Sequence, residues 1–320
     1  MGLFRRRTVI SLLMVTFLAG FAANTQQLEQ APGQDEPFTL KLGVDEVSLT
    51  FHVSDKHGSS IDNLSQNQFL LTDQGKLQQR ISAFHFYRDL PVRVGFIIDA
   101  SDSMENELEV NEYIAKLYAE KMLRKGIDRA FVMGFGTDIQ ITQEWTDRPE
   151  SIIAGIHTVP SRDYGTSGTA IFDSLYKACR DRWSSDRDNV TGNFIVLFTD
   201  GVDNASHARI DDVIDRCQRS RTAIYIFTNQ WNLRGSSEGR KTLEALTSQS
   251  GGRIFLNPNS EQIEKDVQIM DNDQRTQYLL DFAPSKLRRD GSFHHIGLRC
   301  KLSNANVQAR TGYYAVSREN

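Results

Sequence analysis

The chain has 320 residues, 39 % hydrophobic and 24 % charged, with 37 basic against 41 acidic side chains and a formal net charge of −4. This composition excludes a disordered, collagen-like or multi-span membrane protein, and so balanced a charge gives no basic field for nucleic acid. Three cysteines (Cys179, Cys217, Cys300), none in a C-x-x-C spacing, exclude a disulfide scaffold and a cysteine-based zinc site.

Residues 1–22 read as an export signal. Arg5, Arg6 and Arg7 precede an apolar run from Thr8, and the small residues Gly20 and Ala22 close it. The run is short for a spanning helix, which needs about 20 apolar residues, so no membrane span is expected after signal cleavage. Arg6-Arg7-Thr8 loosely fits a twin-arginine signal. Removing this segment, with its three arginines and no acid, takes the net charge from −4 to −7. Residues 23–36, Gln-rich and holding Pro32 and Gly33, read as a linker.

Residues 37–89 alternate with the period of half-buried strands: Phe38-Leu40-Leu42, Val47-Leu49-Phe51-Val53, Phe69–Leu71 and Ile81-Phe84-Phe86. Turns are expected at Asp55–Gly58 and Asp73–Lys76. The pattern changes after Pro91. Apolar runs at Val92–Ile98, Arg129–Phe135, Asn193–Phe198 and Thr222–Phe227 have the continuity of central parallel strands. Helical spacing is read between them at Glu105–Arg124, Ala170–Trp183, Ala208–Arg219, Glu238–Gln249 and Glu261–Met270, with Arg253–Leu256 as a last short strand. Alternation of this kind predicts a doubly wound, mostly parallel α/β sheet over residues 90–272. Residues 273–320 return to strands at Tyr278–Phe282, Phe293–Cys300 and Val307–Ala315, with a turn at Lys286–Gly291. They are expected to join the N-terminal strands in a small antiparallel β-module flanking the α/β domain.

Ligands of an open α/β sheet bind beyond the carboxyl ends of its strands. Three loops there carry oxygen donors. Val92–Ile98 leads into Asp99-Ala100-Ser101-Asp102-Ser103, Gly168-Thr169-Ala170 opens a helix, and Asn193–Phe198 leads into Thr199-Asp200-Gly201. Two carboxylates and three hydroxyls suit a hard divalent cation, which prefers about six oxygens and often keeps some as water. Taken singly, Asp99, Thr169 and Asp200 would each be read as helix caps; the combination points to a metal. Asp102 is expected to face solvent, and Asp203 and Asn204 to be turn residues.

In this order and behind these strands, the DxSxS, Gly-Thr-Ala and Thr-Asp-Gly elements resemble the von Willebrand factor type A domain and its metal-ion-dependent adhesion site. With the flanking segments Val53–Gly58, Leu64–Phe69 and Thr72–Lys76 before the domain and Arg310–Ala315 after it, the whole chain after the signal resembles exported bacterial proteins of the related type common in acidobacteria. The resemblance implies Ser101, Ser103 and Thr169 on or near Mg²⁺ (or Mn²⁺), with Asp99 and Asp200 acting largely through water. It also implies one antiparallel edge strand, for which Ile139–Trp145 is the candidate. The expected function is an exported, metal-dependent protein-binding module, periplasmic or extracellular. Its partner is a protein offering an acidic side chain as the last metal ligand; nucleic acid is not expected. The Asp102 position departs from the family, where a small residue is usual.

Other chemistries find less support. A phosphohydrolase of the haloacid dehalogenase type needs a second Asp two residues beyond the first, where this chain has Ser101. A structural envelope component stiffened by its metal is the remaining alternative. Gly165–Gly168 lacks phosphate-loop spacing. The histidines show no zinc spacing, and His294 and His295 are expected on opposite faces of a strand. No catalytic residues are expected. The cysteines are expected as buried free thiols, although an exported chain permits a disulfide whose partners the spacing does not choose.

Overall fold

The computed structural model describes residues 46–78, 80–159, 168–183, 190–256, 259–284 and 291–315. The expected signal and linker, the Phe38–Leu42 strand, and most of the Gly165–Gly168 and Lys286–Gly291 segments lie outside them.

The centre is a six-stranded sheet of β5 (Val92–Asp99), β6 (Arg129–Phe135), β7 (Ile139–Thr146), β8 (Gly192–Phe198), β9 (Thr222–Thr228) and β10 (Ile254–Leu256). Its strand order is β10-β9-β8-β5-β6-β7. All neighbours are parallel except β7, which pairs antiparallel with β6 at the edge. The continuous apolar runs arise because both faces are covered. Val94, Phe96, Phe194, Val196, Tyr225 and Phe227 point into one core, with Ile114, Tyr118, Ile152 and Val267 from helices above them. Ile97, Ile195, Leu197, Ile224 and Ile226 point into the other, against Leu175, Val213 and Leu243. The first face is covered by α1 (Leu108–Lys121), α2 (Pro149–His157) and α7 (Ser260–Arg275), the second by α3 (Ile171–Asp181), α4 (Ile210–Arg219) and α6 (Ser237–Ser250); the short α5 (Gln230–Gly235) precedes α6. Among the described residues no helix is long and apolar enough to cross a membrane.

The flanking strands form two antiparallel sheets. One has the order β13-β1-β11-β4, from β1 (Val47–Ser54), β4 (Ile81–Tyr87), β11 (Gln277–Phe282) and β13 (Asn306–Ala309). The other is β14-β12-β2-β3, from β2 (Phe69–Asp73), β3 (Lys76–Leu77), β12 (Phe293–Cys300) and β14 (Gly312–Tyr314). N- and C-terminal strands therefore pair directly: Val47 to Phe51 lie opposite Phe282 to Tyr278, and Phe69 to Asp73 opposite Cys300 to Ile296. Their shared core is aromatic, with Phe51 and Tyr278 stacked at 5.3 Å and Phe69 edge-on to Phe51 at 5.1 Å.

Several expectations are corrected. Val307–Ala315 is two strands in different sheets. The chain breaks at Arg310 and Thr311, where the Arg310 guanidinium donates to the Ser48 carbonyl and the Thr311 amide to that of Ser248. The helix expected to end near Met270 runs on to Arg275. Its polar last turn looks solvent-facing in sequence, yet Asp271 accepts from Tyr118 at 2.7 Å and Arg275 donates to Asp128 at 2.9 Å. The thiols expected free at Cys179 and Cys217 form a disulfide joining α3 to α4, with Cα atoms 4.9 Å apart; Cys300 is a free, half-buried thiol. His294 is buried and His295 exposed, as strand alternation requires.

Candidate functional site

Parallel strands β5 and β8 deliver Asp99 and Thr199 to the same sheet edge. Asp99 is fully buried. Its Oδ1 accepts the Ser101 amide at 2.9 Å and its Oδ2 the Thr199 hydroxyl at 2.6 Å. Burial pushes the Asp99 carboxyl up to about 6; the hydrogen bonds from Thr199 and Ser101 work against that rise, and the nearby Asp200 charge adds to it. A buried carboxylate so placed is stabilised by an added positive charge.

The loop after β5 is held on both sides. The Ala100 amide donates to Phe135 at the end of β6, at 2.7 Å, and the Met104 amide closes a turn on the Ser101 carbonyl at 3.0 Å. Met104 is buried beneath it, while Asp102 faces solvent as expected. The turn is a 3-10 segment, Asp102–Glu107, before α1 begins. It sets the Ser101 and Ser103 hydroxyls 3.2 Å apart. Neighbouring oxygens of an octahedral ion with bonds of about 2.1 Å stand roughly 3 Å from each other, so this pair fits two adjacent ligand positions.

The Thr169 loop is bolted to both neighbours. The Ala170 amide donates to Gly136 just beyond β6 at 2.8 Å. The Thr169 amide donates to Asn204 Oδ1 at 2.7 Å, and its carbonyl accepts the amides of Asn204 and Ala205 at 3.1 and 3.2 Å. At Gly168 a Cβ would stand 2.9 Å from that of Ala205, so the loops approach as closely as a glycine permits. Asp203 and Ser206 add to the brace: Asp203 accepts the Phe172 amide at 3.0 Å, and the Ser206 hydroxyl donates to Asp203 at 2.6 Å.

Asp200 follows Thr199 and uses Oδ1 to accept the Val202 amide at 2.9 Å. Gly201 turns the backbone with φ +86°, and a Cβ there would stand 2.6 Å from the Gly239 carbonyl. Glycine is required on both counts.

Asp99, Thr169 and Asp200 are therefore not helix caps. Ser101 occupies the cap position of the 3-10 segment, and Ala170 that of α3. Among the described residues no group of three or more His, Cys, Asp or Glu side chains gathers as metal ligands; of the five side chains expected from sequence, the Ser101 and Ser103 hydroxyls stand together and Asp99 lies behind them with the Ser101 amide bonded to it. Two members of the arrangement were not singled out from sequence. Thr199 is the buried donor to Asp99, and Asn204, read as a turn residue, fastens the Thr169 loop. The signal for Thr199 lay in the Thr-Asp-Gly element itself, where the hydroxyl precedes the carboxylate at the strand end.

No curated protein matches the chain. Among solved structures, the conserved hypothetical protein BatB from Bacteroides thetaiotaomicron is 15 % identical, with 56 % of this chain and 96 % of that one covered and a TM-score of 0.44. An aerotolerance-related membrane protein from Bacteroides fragilis is 18 % identical, covering 57 % and 98 %, with a TM-score of 0.45. Proximal thread matrix protein 1 from the mussel byssus, solved with a zinc-occupied MIDAS motif, is 17 % identical, covering 61 % and 50 %, with a TM-score of 0.47. The von Willebrand factor type A domain matches residues 94–269, more than half of the chain. The chain belongs to the von Willebrand factor type A domain family.

Proposed function

We propose that the protein is an exported, metal-dependent binding module. In this reading residues 90–272 hold Mg²⁺ or Mn²⁺ through Ser101, Ser103 and Thr169, with Asp99 and Asp200 reached largely through water. The flanking strands of residues 37–89 and 273–320 form its β-module. The observation that carries the reading is the pair of serine hydroxyls, 3.2 Å apart, beside a buried Asp99. An all-oxygen donor set favours a hard cation over zinc, which prefers nitrogen and sulfur. Few direct carboxylates leave the ion electrophilic, so the partner is a protein presenting an Asp or Glu side chain to complete the shell. The bound dication offsets the repulsion between an acidic partner and a chain of net charge −7 after signal removal. A binding role is favoured over hydrolysis because Ser101 stands where a phosphohydrolase needs its second Asp. Export to the periplasm or beyond rests on the arginine-led apolar segment of residues 1–22 and is supported by the Cys179–Cys217 disulfide, which persists in oxidising compartments.

The test is calorimetric titration of Mg²⁺ and Mn²⁺ into the wild type and an Asp99→Ala, Ser101→Ala double variant. The wild type binds one ion and the variant binds at least tenfold more weakly. Equal affinities refute the assignment.

A further inference from the structure

Trp231 is 81 % exposed, the most exposed large apolar side chain among the described residues. It does not belong to a detached loop. Its amide donates to Asn229 Oδ1 at 2.8 Å, and two residues on, Leu233 packs against the core under the sheet. The helix α5 is thus anchored by its inner face and holds the indole outward. No fold requirement accounts for that exposure. Tryptophan is over-represented among the anchors of protein interfaces.

The topology puts this indole at the same edge as the proposed metal site. Strands β5, β8 and β9 are parallel neighbours in that order, so Asp99, Asp200 and the β9–α5 turn all emerge at their carboxyl ends. The turn is also tied to the metal loop: the Asn229 side-chain amide donates to the Glu107 carboxylate, at the end of the 3-10 segment that carries Ser103. Arg234, exposed and three residues beyond Trp231, shares its helix face.

We propose that Trp231 is the second anchor of the binding surface, with Arg234 beside it. The occupant is an extended segment of a partner protein that gives one carboxylate to the metal and lays an apolar side chain on the indole. Two inter-strand steps of about 4.8 Å separate β5 from β9. An extended chain advances about 3.3 Å per residue, so it spans the distance between these two strand ends in about three residues, which sets the scale for the separation of the partner's acidic and apolar residues. The proposal rests on the metal-binding reading above.

The test uses synthetic Gly/Ser-rich dodecapeptides with one Asp and one Leu separated by one to seven residues, and controls with Asp alone or Leu alone. Binding to the full chain is read in Mn²⁺ by calorimetry and by acrylamide quenching of tryptophan emission. Trp183 is buried and Trp145 half-buried, so quenching reports chiefly on Trp231. The expected result is tightest binding near a separation of three, with quenching reduced. Trp231→Ala weakens that peptide at least tenfold, Trp231→Phe weakens it less, and both variants bind Mn²⁺ as the wild type does. Binding of the best peptide unchanged in Trp231→Ala, no spacing preference, or no binding of any peptide below 1 mM overturns the proposal. So does Trp231-dependent self-association or vesicle binding without peptide binding. Failure of the metal reading looks different: Asp99→Ala, Ser101→Ala then binds Mn²⁺ like the wild type, whatever Trp231 does.

Discussion

The Thr199 hydroxyl donates to Asp99 Oδ2 at 2.6 Å, joining residues 100 positions apart at the ends of neighbouring strands. The same hydroxyl oxygen accepts the Gly201 amide at 3.2 Å. Thr199 is fully buried; at this edge it fixes the Asp99 carboxylate and starts the turn that carries Asp200. Groups that orient a metal site from behind typically change affinity by about 10–100-fold when removed. Thr199→Val keeps the shape and loses the donor. It is expected to weaken Mn²⁺ binding within that range and to cost about 1–3 kcal/mol in urea unfolding, because a buried carboxylate oxygen loses its partner. Thr199→Ser restores most of both. Wild-type Mn²⁺ affinity in Thr199→Val would show that the hydroxyl does not serve the site.

The raised Asp99 carboxyl gives a pH signature whose sign is fixed. Its ordinary value is 3.8 and burial pushes it up to about 6. Between those values the folded protein keeps a proton that the unfolded chain has released. Without metal, this group's contribution to stability is therefore fully present below pH 4 and is lost as pH rises through 6, a fall on the order of 3 kcal/mol. In EDTA at pH 7.5, Asp99→Asn should be more stable than the wild type to urea, with the gap closing toward pH 4. In saturating Mn²⁺ the order reverses, since an ion that binds the folded state stabilises it by mass action. No crossing between the two conditions would mean that Asp99 does not feel the metal.

What sequence could show was what periodicity controls. Val92–Ile98, Asn193–Phe198 and Thr222–Phe227 are apolar on both faces because both faces are covered, and their alternation with helical segments implies the parallel sheet. The antiparallel edge strand at Ile139 is implied by the family resemblance, and the joining of N- and C-terminal strands by the closeness of domain termini, not by pattern; those strands form two antiparallel sheets. Helix α2 was not legible. It offers only Ile152, Gly155 and Ile156 to the interior, too few to register as a periodic face. The last turn of α7 was hidden for the opposite reason, since Asp271, Asp273 and Arg275 look like a solvated end and are buried among partners from distant segments. At the candidate site, the expected oxygen-bearing residues are legible as types at strand ends. The Thr199 bond and the Asn204 brace are not, because each depends on which strands are neighbours.

Those distant partners make a separate prediction at the other end of β5. Asp128 is fully buried and accepts from Arg275 at 2.9 and 3.2 Å, from Arg124 at 3.1 Å, and from the Val92 amide at 2.9 Å. Burial acts to raise its carboxyl, but the Arg124 and Arg275 guanidiniums outweigh it and hold the group down at about 2. Because Arg275 ends α7 just before β11, the cluster fastens the α/β domain to the strand pair β1–β11. Asp128→Asn leaves the buried Arg275 undercompensated and should cost about 3–5 kcal/mol. The native advantage is present above pH 4 and is lost as pH falls toward 2. Urea unfolding at pH 7 and pH 3 measures both; a loss below 1 kcal/mol at pH 7 would show the cluster to be dispensable.

The Cys179–Cys217 bond closes a sequence separation of 38 residues between α3 and α4. Helix α3 begins just after Thr169, and the loop leading to α4 holds Asn204, so the bond staples the two helices behind the braced Thr169 loop. Closing a loop of that length is worth about 2–4 kcal/mol through the unfolded chain. The double variant Cys179→Ser, Cys217→Ser should lose roughly that much in denaturant unfolding and bind Mn²⁺ more weakly, as the Thr169 loop gains freedom. Unreduced native protein should show one titratable thiol, Cys300, and three after unfolding in reductant. Three reactive thiols in unreduced protein unfolded without reductant would show that the pair is not joined.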